Sequence, residues 1–209
     1  LTTFLQNGTV PDALLFTGIE GVGKQSAAVT FAMACNCTGD HSENKSEWRD
    51  NRVADGRSTT NQARITNPCG TCKPCRKIES ENHPDIIRIQ PTGPFIKIDQ
   101  IRSLLRTLAM KPYEAITRVT IISEAQAMNP EAGNALLKVL EEPPERTLLI
   151  LTAIQISDLL PTIVSRCQLI RFNPISLKSI AGFLVEKKGI APDDAMILAT
   201  LANGSLSKA

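Results

Sequence analysis

Aromatic residues are scarce: one tryptophan, one tyrosine and six phenylalanines make up 4% of 209 residues. The tryptophan, Trp48, lies in a polar stretch, and no stripe of basic residues interleaved with aromatics is present, so the sequence shows no stacking platform for nucleic acid. Neither sign of charge is in excess. The 23 basic and 21 acidic residues leave +2, which points to no nucleic-acid, membrane or acidic partner by itself. No apolar run reaches the roughly 18 residues of a membrane span. The N-terminal LTTFLQNGTVPD has neither the basic flank nor the apolar core of a signal peptide. The expectation is a cytoplasmic protein with no membrane partner.

What is present is a 42% apolar chain, long enough for one α/β domain and part of a second. ALLFT (Ala13 to Thr17) enters a glycine turn, GIEGVGKQS, and an Ala-rich helical stretch follows. DIIRIQ (Asp85 to Gln90) reads as a second strand, and IDQIRSLLRTLAMKP as a helix capped by Asp99 with Pro112 past its end. RVTIIS (Arg118 to Ser123) is the third strand. Asn129 caps the next helix, Pro130 takes its first position, and Ala135, Leu136, Val139 and Leu140 form its buried stripe before Pro143 and Pro144 stop it. TLLILT (Thr147 to Thr152) and CQLIRF (Cys167 to Phe172) complete an alternation of strands and helices that predicts an open parallel sheet. After Pro174 the pattern is helical only, over Leu177 to Lys187 and Asp193 to Leu201. The expected division is therefore an α/β domain over residues 1–173 and part of a second, all-helical domain over 174–209. A polar stretch from Thr38 to Thr66, with very few apolar residues apart from Trp48, Val53 and Ile65, reads as a mobile insertion.

Gly18, Gly23 and Lys24 fit G-x-x-x-x-G-K between a strand and a helix, the context that makes a phosphate loop credible. In such a loop the backbone N–H groups, here around Gly18, Gly21 and Gly23, close on phosphate oxygens and the lysine reaches the terminal phosphates. The next residue should carry the hydroxyl that binds magnesium, but it is Gln25. Ser26 sits about 100° further round the helix and cannot simply substitute. The third strand should end in an Asp that holds the metal through water, followed by a Glu; it ends in Ser123 and Glu124. Both metal positions are altered together. The plainer reading is that Ser123 tolerates a water-bridged magnesium ion.

GNALLKVLEEPP (Gly133 to Pro144), SRC (Ser165 to Cys167) and CGTCKPC (Cys69 to Cys75) together closely resemble bacterial DNA polymerase III clamp-loader subunits, over nearly the whole chain except the insertion. The resemblance implies an AAA+ P-loop domain with a zinc-binding insertion, followed by a small helical lid. The family's third, collar domain would lie beyond Ala209, so the chain is expected to be a piece of a longer protein. Motor subunits of the gamma or tau type carry an arginine in a GSLR string of the lid, whereas here Gly204, Ser205 and Leu206 are followed by Ser207. That third departure points to the delta-prime branch, which commonly has a degraded ATP site. Thr152 matches the family position that senses the γ-phosphate. Arg166 matches the arginine finger that enters a neighbour's ATP site; a permanently charged planar guanidinium suits the spread charge of a transferring phosphoryl group. Glu124 would then be vestigial.

Six cysteines in a reducing compartment suggest metal or free thiols before disulfides. Cys69, Cys72 and Cys75 need one further ligand for tetrahedral zinc, and the family supplies it from the end of the helix after the phosphate loop. Both Cys35 and Cys37 stand there, with Cys37 the better match. The insertion lengthens the loop to the other ligands, at an entropic cost that grows only logarithmically. Four sulfurs would close the shell of a structural zinc; an iron–sulfur cluster or redox thiols are the alternatives. His41 and His83 are available as ligands but neither is needed. Cys167 reads as a buried thiol.

The resemblance thus implies a subunit of a DNA polymerase holoenzyme, a nucleotidyltransferase, that binds ATP or ADP with little or no hydrolysis. Its expected partners are gamma or tau and delta subunits in a hetero-pentamer, a sliding clamp and primer-template DNA. The alternatives are an active gamma- or tau-type ATPase, favoured by Lys24 and Glu124, and a P-loop nucleoside kinase, which would need an acceptor pocket and lid arginines.

Overall fold

A computed structural model describes Phe4, residues 10–39 and residues 67–209. From residue 40 onward the expected insertion, with His41, Trp48, Val53 and Ile65, lies outside the described residues.

Five strands form one parallel sheet in the order β2-β3-β4-β1-β5: β1 Ala13–Thr17, β2 Ile86–Ile89, β3 Arg118–Ile122, β4 Thr147–Ala153 and β5 Gln168–Arg171. β1 and β4 are buried throughout, as continuous apolar runs must be when helices cover both faces of a sheet. The side-chain period of two divides each strand between two cores. Leu14, Phe16, Val119, Ile121, Leu148 and Ile150 pack against helices α1 (Lys24–Asn36) and α2 (Lys73–Glu79). Ala13, Leu15, Ile89, Ile122, Leu149 and Leu151 face the opposite way, onto α3 (Ile98–Leu108), α4 (Pro130–Glu141) and the short α5 (Pro161–Val164). Two further helices, α6 (Leu177–Lys188) and α7 (Pro192–Ala202), bury Ile180, Ala181 and Leu184 against Ala195, Ala199 and Ala202 in a separate cluster.

Several local readings change. Asp99 does not cap α3: the N-cap is Lys97, two residues earlier, the helix starts at Ile98, and the Lys97 N–H donates to Gln100 Oε1 at 2.9 Å. Asp99 sits in the first turn, where its carboxylate complements the helix dipole. Asn129 caps α4 as its position suggests, accepting from the Ala132 N–H at 3.0 Å. Of the expected stripe on α4, Leu136, Val139 and Leu140 are buried while Ala135 is only half-buried; Ala132 and Gly133 complete the buried face. Helices α2 and α5 have seven and four residues, too short for a 3.6-residue period to show in the sequence.

Candidate functional site

The loop between β1 and α1 is a nest of main-chain groups. Gly23 caps α1 in the left-handed region at φ 91° with no side chain over the helix end, so the first N–H groups of α1 point into the loop. Lys24 Nζ donates to the carbonyls of Gly18 at 2.6 Å and Ile19 at 2.9 Å, which folds the ammonium over the loop. Burial pulls this amine below its ordinary range, against the charges of Glu20 and Glu124, which hold it up. Gly18 runs against the Phe172 carbonyl so closely that a Cβ could not be added.

Gln25 and Ser123, the two positions where the motif leads one to expect magnesium ligands, meet at one corner. Ser123 Oγ, at the end of β3, donates to Gln25 Oε1 in the first turn of α1 at 2.7 Å. The bond joins residues 98 apart in sequence. Ser123 is buried and Gln25 half-buried, whereas Ser26 is exposed on the next face of α1 and makes no bond to this corner. Glu124 is exposed, in the left-handed region at φ 53°, a conformation that costs a non-glycine residue about 1 kcal/mol or more. Its N–H donates to Thr152 Oγ1 at 3.2 Å, which ties the end of β3 to the end of β4.

The helical segment closes on the same loop. The Leu206 N–H donates to the Gly21 carbonyl at 3.0 Å, and the hydroxyls of Ser205 and Ser207 lie 3.2 Å apart over Gly21. Gly21 has φ 75°, and a Cβ there would collide with both hydroxyls. Ser207 therefore stands with its neutral hydroxyl over the loop between β1 and α1.

Arg166 lies on the other side of the sheet, in the turn between α5 and β5. Its Nη2 donates to Glu141 Oε1 at 2.6 Å and its Nη1 to the Thr162 carbonyl at 3.0 Å. The side chain keeps 35% of its surface exposed. Glu141, the first glutamate of the LEEPP string, was not singled out from sequence, and only the packing of α4 beside α5 reveals it as the partner. Cys167 packs against the core with its thiol pushed up to about 11 by burial.

Cys37, just past the end of α1, meets Cys69, Cys72 and Cys75 at the start of α2, with all four sulfurs within 4.8 Å of one another. Cys35 is outside the group; it packs beside the α1 core, with its thiol pushed up to about 12 by burial. The Cys72 N–H donates to Cys69 Sγ at 3.3 Å and the Cys69 N–H to Cys37 Sγ at 3.4 Å. Amide donation from Cys72, with help from Thr71, brings the Cys69 thiol down to about 5, whereas burial pushes Cys75 up. Four converging thiols, one of them ready to ionise, are a donor set that fits a tetrahedral metal ion. His83 is not in the group; its Nδ1 accepts from the Asp85 N–H at 3.2 Å.

A family model described as "DNA polymerase III, delta subunit" matches residues 51–176. The chain is 34% identical over 199 residues to the DNA polymerase III subunit delta' of Bacillus subtilis, covering 95% of this chain and 53% of that protein. It is 30% identical over 218 residues to subunit tau of the same organism, covering 100% of this chain and 34% of that one. The chain thus spans about half the length of the delta' relative. Among solved structures, a gamma subunit-related protein of Thermotoga maritima aligns with a TM-score of 0.55 at 20% identity, covering 94% of this chain and 56% of that chain. The RuvB Holliday junction branch migration motor of Thermotoga maritima aligns with a TM-score of 0.57 at 14% identity, covering 100% and 55%. At these identities the structural likeness speaks for the fold alone, which is the AAA+ α/β fold.

Proposed function

The chain belongs to the DNA polymerase III delta subunit family, and from that premise we propose that it works as a delta-prime subunit of the clamp loader, without ATP hydrolysis of its own. The observation that carries this reading is the hydrogen bond from Ser123 to Gln25. A phosphate loop that hydrolyses ATP needs a hydroxyl and a carboxylate at those two positions to hold magnesium. An amide and a hydroxyl bonded to each other offer no anionic ligand there, and a hard divalent ion needs charged oxygen donors or water held by them. Lys24 and the loop amides remain, so ATP or ADP binding without turnover fits the site.

In this reading residues 1–173 form the AAA+ domain and 174–209 part of the lid. Arg166 is the finger that acts in a neighbouring subunit's ATP site, with partners of the gamma or tau and delta type, a sliding clamp and primer-template DNA in the cytoplasm. Its half-exposed guanidinium, outside the chain's own loop, supports a role in trans. Cys37, Cys69, Cys72 and Cys75 would hold a structural zinc ion that joins the end of α1 to the start of α2. The zinc would supply no chemistry beyond that cross-link, because four thiolates leave no open position. A gamma- or tau-type ATPase is the second reading, favoured by intact Lys24 and by the 30% identity to tau.

Steady-state ATP turnover by the full-length protein with magnesium, against a Lys24→Ala control, separates the two. Turnover at the level of the control is expected. Turnover above it would assign the chain to the ATPase branch. In a loader reassembled with Arg166→Ala, turnover at the neighbouring site is expected to fall by about 10³ or more, while Arg166→Lys restores little because lysine lacks the bidentate fork.

A further inference from the structure

The hydrogen bond between Gln25 and Ser123 does more than fill the place of two lost ligands. A serine has one proton to donate, and it goes to Gln25 Oε1 at 2.7 Å. That fixes the orientation of the amide: with Oε1 engaged, the Nε2 group, which carries two N–H donors, is the end left to turn outward. Gln25 stands in the first turn of α1, next to Lys24. Ser123 is held in turn to β2, its own N–H donating to the Ile89 carbonyl at 2.9 Å. The next residue, Glu124, directs its N–H to Thr152, so the backbone that presents Ser123 is anchored on both neighbouring strands. The corner is a preorganised neutral donor and carries no negative charge of its own.

We propose that this pair takes the place of the metal ion: the loop accepts a nucleoside di- or triphosphate free of magnesium, and the Gln25 amide, oriented by Ser123, donates to the phosphate oxygens that an ion would otherwise bridge. The inference rests on the reading that the chain's own hydrolysis is lost. It adds the form of the ligand and the coupling of two residues. Restoring only one of the two ligands leaves the site with two hydroxyls and no carboxylate, or with a carboxylate beside the Gln25 amide. Neither arrangement supplies the hydroxyl and the carboxylate together.

Titration of the full-length protein with N-methylanthraniloyl-ADP and the matching ATP probe, in magnesium and in EDTA, tests this. The wild-type affinity is expected to agree within about twofold between the two conditions. Gln25→Ala and Ser123→Ala should each weaken binding, by about tenfold for a hydrogen bond to a charged group, and the double alanine variant should lose no more than Gln25→Ala alone. The Gln25→Thr/Ser123→Asp variant should bind at least about tenfold more tightly in magnesium than in EDTA. Wild-type binding that tightens severalfold with magnesium overturns the proposal, and so does a failure of the wild type to bind either probe. Additive effects of the two alanine substitutions would overturn the coupling. ATP turnover on the same preparation keeps the two readings apart. Magnesium-tightened binding without turnover sinks this inference alone; magnesium-tightened binding with turnover above the Lys24→Ala control sinks both.

Discussion

Asp85 shows how one buried residue organises its surroundings. Its carboxylate accepts from the N–H groups of Tyr113 at 2.9 Å, Glu114 at 2.7 Å and Ala115 at 2.9 Å, and faces Arg118 Nη2 at 3.3 Å. Burial alone would raise the Asp85 pKa, yet these donors hold it below the ordinary carboxylate value. Arg118 spends its other nitrogen, Nη1, on the carbonyls of Thr107 and Met110 and so ties the end of α3 to β3. Asp85→Asn leaves that arginine buried without its counter-charge, and a loss of about 3–5 kcal/mol is expected from urea denaturation at neutral pH. His83 beside it is buried and held neutral, its pKa lowered by desolvation against the pull of Glu114 and Asp85. Both folded-state values lie below their unfolded ones, so both contributions are present at neutral pH and lost on acidification. The His83 contribution fades as pH falls below about 6.5, and the Asp85 contribution only below about 4. His83→Asn keeps an acceptor for the Asp85 N–H and should flatten the pH dependence between about 7.5 and 5, read as the urea midpoint across that range. An unchanged slope would assign the dependence to other groups.

At the scale of elements, two joints connect pieces that the chain order keeps apart. The first is the bond from Leu206 to Gly21, which lays the turn after α7 on the phosphate loop. Gly21→Ala forces a side chain into the left-handed region and against Ser205 and Ser207. A cost of about 1–3 kcal/mol is expected, together with faster hydrogen exchange at the Leu206 amide; a variant that melts like the wild type with that amide still protected would mean the turn simply moves aside. The second joint is the four-cysteine cluster at the ends of α1 and α2. Purified protein is expected to hold about one zinc ion per chain and to melt at lower temperature after chelation. Cys72→Ser should release the metal, while Cys35→Ser, outside the cluster, should retain it. The long elements were legible in the sequence because their signals are local: the apolar runs of β1 and β4, and the Asn129-Pro130 start of α4. The cap of α3 was not, because Asp99 and Lys97 compete there and Gln100, reaching back to the Lys97 N–H, decides for Lys97. The cysteine joint was legible too, from the Cys69-Cys72-Cys75 spacing and the family match at Cys37; the joint at Gly21 was not, because it depends on where a distant segment returns.

For the whole molecule, the parallel sheet sets the ends of β1, β3 and β4 side by side, which brings the loop after β1 beside Ser123, Glu124 and Thr152. Arg166 leaves from the β5 edge instead, paired with Glu141. In the assembled loader, Glu141→Gln is therefore expected to alter neighbouring-site turnover in the same direction as Arg166→Ala but by less, since it frees the guanidinium without removing it. Equal loss would make Glu141 itself a contact of that site. Sequence by itself determined the class of fold and the identity of the unusual residues. Alternating strand and helix periods follow from local burial, and Gln25, Ser123 and Ser207 stand at positions that a linear motif fixes by counting. Only the tertiary structure decided that Gln25 and Ser123 bond to each other, that Cys37 rather than Cys35 joins the other thiols, and that Ser207 roofs Gly21. Each is a meeting of side chains or loops far apart in the chain, and such a meeting is set by sheet order and helix packing, to which no short stretch of sequence gives access.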